Sequence, residues 1–273
     1  MIGAIAGDII GSAHEYLGTK SMDFELFGGD CRFTDDSVLT VAVADSLLTG
    51  IPYMDKFHEY FQAYPAAGYG MRFTLWAARR EREPYNSWGN GSAMRVSPVG
   101  FAFGTLEEVV AEARRSAEPT HNHEEGIRGA QATAAAVFLG RAGKSKEEIR
   151  TAIESRFGYD LSRCLDDIRP AYCFTESCRE TVPPAIIAFL ESRDYEHAVR
   201  KAVSLGGDAD TLACIAGGIA EAFYGGVPEP IARRALAMLD FPLRRVTEEF
   251  HRRFVSPPAL PEPDSPAAAG PPS

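Results

Sequence analysis

The stretch Asp208-Ala209-Asp210-Thr211-Leu212-Ala213-Cys214-Ile215-Ala216-Gly217-Gly218-Ile219-Ala220-Glu221-Ala222-Phe223 decides the fold class. Leu212, Ile215, Ala216, Ile219 and Phe223 share one face of a helix that begins near Asp210. Gly225-Gly226 and Pro228 stop it, because glycine takes the left-handed helix end and proline cannot continue the helix. The same run is rich in Ala and Gly, and Gly3, Gly7 and Gly11 repeat that character at four-residue spacing. Small residues on a helix face let another backbone come close, so both segments read as central helices of a tightly packed bundle. Asp8 and the short apolar run argue against a membrane-dimer reading of the glycines.

A second helical pattern runs from about Asp36 to Leu48, with Val38, Val41, Ala42 and Leu48 inward, and Gly50 and Pro52 end it. Similar spacing predicts helices over 2–13, 54–63, 70–80, 106–116, 124–141, 145–155, 181–191, 194–203 and 230–238. Strand-like alternation is hard to find. Many short helices without strands predict a compact all-α domain over 1–255 rather than an α/β fold. From Ser256 onward Pro, Ala and Ser dominate, which predicts a disordered tail over 256–273.

A chain of 273 residues, 45% hydrophobic and 24% charged, can bury a substantial core. Its net charge of −10 argues against broad binding to nucleic acid, which needs clustered Lys and Arg. Arg114-Arg115 and Arg252-Arg253 are the densest basic pairs and read as solvated helix surface. Cys31, Cys164, Cys173, Cys178 and Cys214 show no zinc-ligand spacing and cannot all pair within the chain, so reduced thiols in the cytoplasm are expected. Neither an export segment nor a membrane span is predicted.

Two acidic clusters carry the chemistry: Thr34-Asp35-Asp36-Ser37, and Gly206-Gly207-Asp208-Ala209-Asp210-Thr211. An Asp pair that opens a helix is ordinarily a cap, since a carboxylate accepts backbone N–H bonds at the positive end of the dipole. The second cluster shifts that balance toward one oxygen-lined metal site. Carboxylate and hydroxyl oxygens suit hard Mg²⁺ or Mn²⁺, and several Asp from each cluster would serve two cations close together. Asn90-Gly91-Ser92 forms a glycine-rich turn whose backbone N–H groups can approach a phosphate; its bland alternative is an ordinary loop, and Arg95 reads equally as an ion-pair partner. For His121 and His123, a helix-start or polar-loop role fits better than a metal centre.

Taken in order, Gly3-Ala4-Ile5-Ala6-Gly7-Asp8, Gly11-Ser12-Ala13-His14-Glu15, Phe33 to Ser37, Gly89-Asn90-Gly91-Ser92-Ala93-Met94-Arg95, Thr120-His121 and Gly206 to Thr211 resemble the ADP-ribosylglycohydrolase family. That family includes dinitrogenase reductase-activating glycohydrolases and eukaryotic ADP-ribosylhydrolases. The resemblance implies an all-α domain whose two-metal centre, with Mg²⁺ or Mn²⁺, binds ADP-ribose and cleaves its bond to an acceptor. Thr34, Asp35, Asp36, Asp208, Asp210 and Thr211 match the family's metal-ligand positions. Ser37 stands where the motif commonly has Thr. Asn90, Gly91, Ser92 and Met94 fall in its ligand-binding turn, and His121 matches a position near ADP-ribose. Glu15 matches the glutamate that approaches the reaction centre, which implies proton transfer or water positioning, with Asp36 or Asp210 holding the attacking water through its cation. Trp88 and Phe33 read first as core packing, with adenine or ribose contact as the alternative.

The resemblance implies an ADP-ribosylated protein or a small ADP-ribose conjugate as partner. Modified arginine is the first expectation for the acceptor, with serine-linked ADP-ribose and O-acetyl-ADP-ribose as alternatives. The competing class is a non-catalytic ADP-ribose-binding or structural protein. Retention of both acidic clusters and of Glu15 counts against it.

Overall fold

Local chemistry sets the helix boundaries in the computed structural model, which describes residues 1–255. In chain order the helices are α1 (Ile2–Ser12), α2 (Asp35–Thr49), α3 (Tyr53–Ala63), α4 (Met71–Ala78), α5 (Gly91–Met94), α6 (Ser97–Ala102), α7 (Leu106–Ala117) and α8 (Glu124–Arg141). They continue with α9 (Lys146–Phe157), α10 (Leu165–Ile168), α11 (Cys178–Leu190), α12 (Tyr195–Val203), α13 (Ala209–Tyr224), α14 (Glu229–Met238) and α15 (Phe241–Phe250), and a π-helical turn covers His251–Val255. Thr105 with Glu108, and Ser145 with Glu148, close reciprocal capping boxes at the starts of α7 and α9. Gly50, Gly158 and Gly225 end α2, α9 and α13 in the left-handed conformation.

The protein is all-α, and its described residues hold no strand, only one isolated bridge between Gly89 and Ser177. The disordered tail expected over 256–273 lies outside the described residues. One hydrophobic cluster runs from Met1 to Phe250. Among the described residues no helix is long and apolar enough to cross a membrane. Arg114 and Arg115 lie exposed and paired with Glu118 and Glu112.

The long helices fall where their apolar spacing places them. Four elements were not anticipated: α5, α6, α10 and α15. The first three are too short for a 3.6-residue period to develop. Helix α11 begins at Cys178, before the expected 181, which moves Pro183 and Pro184 from its first turn into its interior. Pro184 has no N–H to offer the Glu180 carbonyl, and the Tyr172 hydroxyl donates to it instead at 3.1 Å.

Helices α1 and α13 form the centre. Every residue of α1 is buried, as is α13 from Ala209 to Ala222. The two run in opposite directions with almost no side-chain layer between them. A methyl group built on Gly3 would come 2.5 Å from the Gly217 carbonyl, on Gly7 2.1 Å from the Ala213 carbonyl, and on Gly11 2.5 Å from the Cα of Asp210. Glu221, also buried, accepts from the Gly3 N–H at 2.8 Å and from the Met1 amine at 2.5 Å. Around this pair α8, α11 and α12 pack on α13, and α2 packs on α1. The antiparallel pairing brings the end of α1 to the start of α13.

Gly7→Ala therefore forces two backbones apart. It should cost at least the ~1–3 kcal/mol of ordinary overpacking, read as a lower urea midpoint at unchanged slope. Gly28, with no atom within 4 Å of an added methyl, supplies the control: Gly28→Ala should shift stability by less than about 0.5 kcal/mol. Equal midpoints for the two variants would refute the close-contact account.

Candidate active site

The start of α13 carries Asp208 and Asp210, and the start of α2 carries Asp35 and Asp36. The α1–α13 contact brings the two starts together, so acidic clusters from opposite ends of the chain line one cavity of about 320 Å³. Thr34, Thr211, Glu15, Asn90, Gly91, Met94 and His121 line it as well. Of the sequence-predicted site residues, Ser92 alone turns away. Its hydroxyl donates to the Gly126 carbonyl at 2.7 Å and fixes α5 on α8, so only its main chain is left for a ligand.

Asp8 completes the cluster and was not singled out from sequence. Oxygen atoms of Asp8, Asp36 and Asp210 lie within 4.8 Å of one another, all three residues buried. Asp8 accepts from Thr34 N at 3.0 Å, Thr34 Oγ1 at 2.6 Å and Ser37 N at 3.0 Å, and the Ser37 hydroxyl donates to it as well. That explains Ser37: its hydroxyl holds the helix start on Asp8. An acid in the middle of an otherwise apolar helix was the available signal, because a buried charge needs dedicated partners.

Burial pushes the carboxyls of Asp8, Asp35, Asp36, Asp208 and Asp210 above the usual Asp range, and neighbouring carboxylates push Asp35, Asp36 and Asp210 further. Hydrogen bonds oppose this at Asp8 and Asp208. Among the described residues, no Lys, Arg or His forms an ion pair with any of the five. Asp36 Oδ1 is buried with no hydrogen-bond partner, while Oδ2 accepts from Thr211 Oγ1 at 3.4 Å. An orphaned carboxylate oxygen in an all-oxygen acidic cluster is what a hard divalent cation satisfies, so these residues fit a metal centre.

Glu15 follows α1 and reaches the cavity half-buried. Burial raises its carboxyl above the usual Glu value, the Asp208 charge adds to this, and the Tyr16 hydroxyl and Arg32 oppose it. The neighbouring His14 is buried: its Nδ1 lies 2.9 Å from Thr19 Oγ1, and its ring packs 4.4 Å from Phe24. His123 starts α8, accepting from Glu125 N at 3.1 Å.

Asn90 ties the glycine turn to the acidic cluster. Its Nδ2 donates to Asp208 Oδ2 at 2.7 Å and to Thr181 Oγ1 at 3.1 Å. A methyl on Gly91 would sit 3.3 Å from His121 Nε2, so the turn packs closely under that ring. Arg95 is not an ion-pair partner. It is fully buried, stacks 4.1 Å over Phe57, and donates from Nη2 to Ser116 O and Thr120 Oγ1. Trp88 is 47% exposed, which removes core packing as its role, whereas Phe33 packs edge-on against Tyr64. Gly68 and Gly70 of the loop before α4, Met71, Arg72 and Phe73 at the start of α4, and the exposed Phe174 also line the cavity. Gly68-Tyr69-Gly70 was the sequence signal for that loop.

Known proteins place this geometry. The family profile described as ADP-ribosylglycohydrolase matches residues 1–259. The chain is 28% identical to the ADP-ribosylhydrolase ARH3 of Mus musculus, covering 84% of each chain, and 27% identical to that of Homo sapiens, covering 84% and 86%. It is 25% identical to the ADP-ribosylarginine hydrolase Tri1 of Pseudomonas putida, covering 84% of this chain and 71% of that protein. A solved structure described as an ADP-ribosylglycohydrolase-related protein complex superposes with a TM-score of 0.67 at 26% identity, covering 92% and 96%. The chain belongs to the ADP-ribosylglycohydrolase family and is a glycosidic-bond hydrolase.

Proposed function

We propose that the protein hydrolyses the bond between ADP-ribose and a modified acceptor, arginine on a protein first, using two divalent cations, Mg²⁺ or Mn²⁺. The observation that carries this reading is the convergence of Asp35, Asp36, Asp208 and Asp210 on one cavity with Asp36 Oδ1 unsatisfied. Thr34 and Thr211 add hydroxyl oxygens, and these six residues would hold the cations. Such ions, when bound, polarise substrate oxygens and make water a better nucleophile at neutral pH.

The protein's own residues supply the rest. The turn from Asn90 to Ser92, with Met94 and His121, positions the ADP-ribose part beside the carboxylates, which lowers the orientational cost of attack at the anomeric carbon. Asp36 and Asp210 face the space where the attacking water would be held. Glu15, half-buried beside Asp208, is placed to exchange a proton with that water or with the leaving group. Arginine as acceptor is supported by the activity for which the Pseudomonas relative is named and by the acidic residues Glu15 and Glu176 among those lining the cavity, which suit a cationic guanidinium.

Three outcomes are expected. Asp210→Ala should weaken cation binding and nearly abolish hydrolysis with the helical circular dichroism retained; normal metal affinity and turnover in the folded variant would remove Asp210 from the ligand set. Glu15→Gln should slow single-turnover hydrolysis by about two to four powers of ten with little change in ADP-ribose affinity. A near-normal chemical step would take Glu15 out of the mechanism. With cations present, free ADP-ribose should be released from an arginine-modified peptide faster than from a serine-linked peptide or O-acetyl-ADP-ribose. The reverse order would reassign the acceptor, and binding of ADP-ribose with no release from any substrate would make the protein a reader.

A further inference from the structure

Arg95 is an unusual group to bury. It is fully enclosed, among the described residues it forms no ion pair, and its Nε and Nη1 have no hydrogen-bond partner. What its Nη2 does contact is informative: besides the Ser116 carbonyl at 3.0 Å, it reaches Thr120 Oγ1 at 2.8 Å, and that oxygen lies 2.7 Å from His121 Nδ1. Guanidinium nitrogens only donate, so Thr120 Oγ1 accepts from Arg95. Among the described residues the Thr120 hydroxyl proton is then left with one acceptor in hydrogen-bond contact, His121 Nδ1. Thr120 is itself fully buried, and withholding that bond would cost about 1–3 kcal/mol.

We propose that Arg95 and Thr120 are positioning residues that fix His121 as the neutral Nε2–H tautomer, so that the ring offers a ligand one hydrogen-bond donor and no acceptor. The Nε2 edge lies over the turn at Gly89 and Gly91, 3.7 Å and 3.3 Å from methyl groups built on those residues, and it has no hydrogen-bond partner among the described residues. His121 lines the cavity there. A fixed donor selects an oxygen acceptor, and this rests on the ADP-ribose reading above only for which oxygen it meets, a phosphate or ribose oxygen of that ligand. Burial and the nearby charges of Arg95 and Arg72 hold the imidazole well below the usual His range, which agrees with a neutral ring, and Tyr85 packs at 6.2 Å without an acidic partner for it.

Long-range proton–nitrogen NMR on the full chain tests the arrangement, with His121→Gln identifying the His121 signals. In the unsubstituted protein at pH 7, His121 should show an unprotonated Nδ1 and a protonated Nε2. Thr120→Val should mix or reverse that pattern and weaken ADP-ribose binding about tenfold or more by calorimetry, while Thr120→Ser restores both. A cationic or Nδ1–H ring in the unsubstituted protein overturns the proposal, as does Thr120→Val that keeps the Nε2–H pattern at any affinity. A lost pattern with unchanged ADP-ribose affinity overturns the donor role. If the unsubstituted protein shows the Nε2–H pattern but binds no ADP-ribose, the ligand assignment fails and the tautomer lock stands. Should Thr120→Val not fold, the unsubstituted and Thr120→Ser spectra still decide the tautomer.

Discussion

The rest of the structure depends on the backbone contact between α1 and α13. Gly3, Gly7 and Gly11 leave no room for a methyl group against Gly217, Ala213 and Asp210, so the separation of the two helices is set by main-chain atoms. A layer of flexible side chains would let the helices slide over several packings of similar energy, whereas main chain against main chain has few alternatives. Asp8 lies next to Gly7, and Asp210 opens the helix that Gly11 touches. The positions of Asp8 and Asp210 are therefore tied to this backbone contact.

Five carboxylates in one buried region repel one another, and the protein answers in two different ways. At Asp8 the charge is met by four donors from Thr34 and Ser37, which use both oxygens and clamp the start of α2. At Asp36 one oxygen is left unsatisfied. A carboxylate already saturated with protein donors gains less from a cation than one with a bare oxygen, so Asp8 is suited to organising the start of α2 and Asp36 Oδ1 to meeting a cation. Deleting the Ser37 hydroxyl would unbalance Asp8 rather than remove a ligand, which is why Ser can stand there in place of Thr.

Much of this was legible in the sequence because helical periodicity and clustered acids are local signals. The faces of α2 and α13, the stop at Gly225 and the central role of the small-residue helices all followed from spacing. What escaped depends on contacts between distant segments. Asp8 looked like one acid in a helix until Thr34 and Ser37 came to it across 26 and 29 residues. Ser92 sits inside a glycine turn whose ligand-binding character concealed an inward hydroxyl. Arg95 follows Met94 in the same motif, yet its acceptors, Ser116 and Thr120, belong to α7 and the loop after it. The start of α11 was placed three residues late, and the Glu180 carbonyl that Pro184 leaves without an N–H is met from outside the helix by the Tyr172 hydroxyl.

The hydrogen bonds of the site also separate what can vary from what cannot. Asn90 bonds Asp208 on one side and Thr181 on the other, while its N–H meets the Glu176 carbonyl at 2.7 Å, so one side chain joins the turn, α11 and the acidic cluster. Movement of the turn must disturb a carboxylate, which couples the turn to the charge centre. The rim is built differently: Tyr16, Met71 and Phe174 line the cavity yet are 83%, 79% and 54% exposed, and core packing does not fix them. Substitution there costs little stability, whereas substitution at Asn90 or Asp208 strands a buried polar partner at about 1–3 kcal/mol. The carboxylates are thus held by the buried network, and the rim can change without disturbing it.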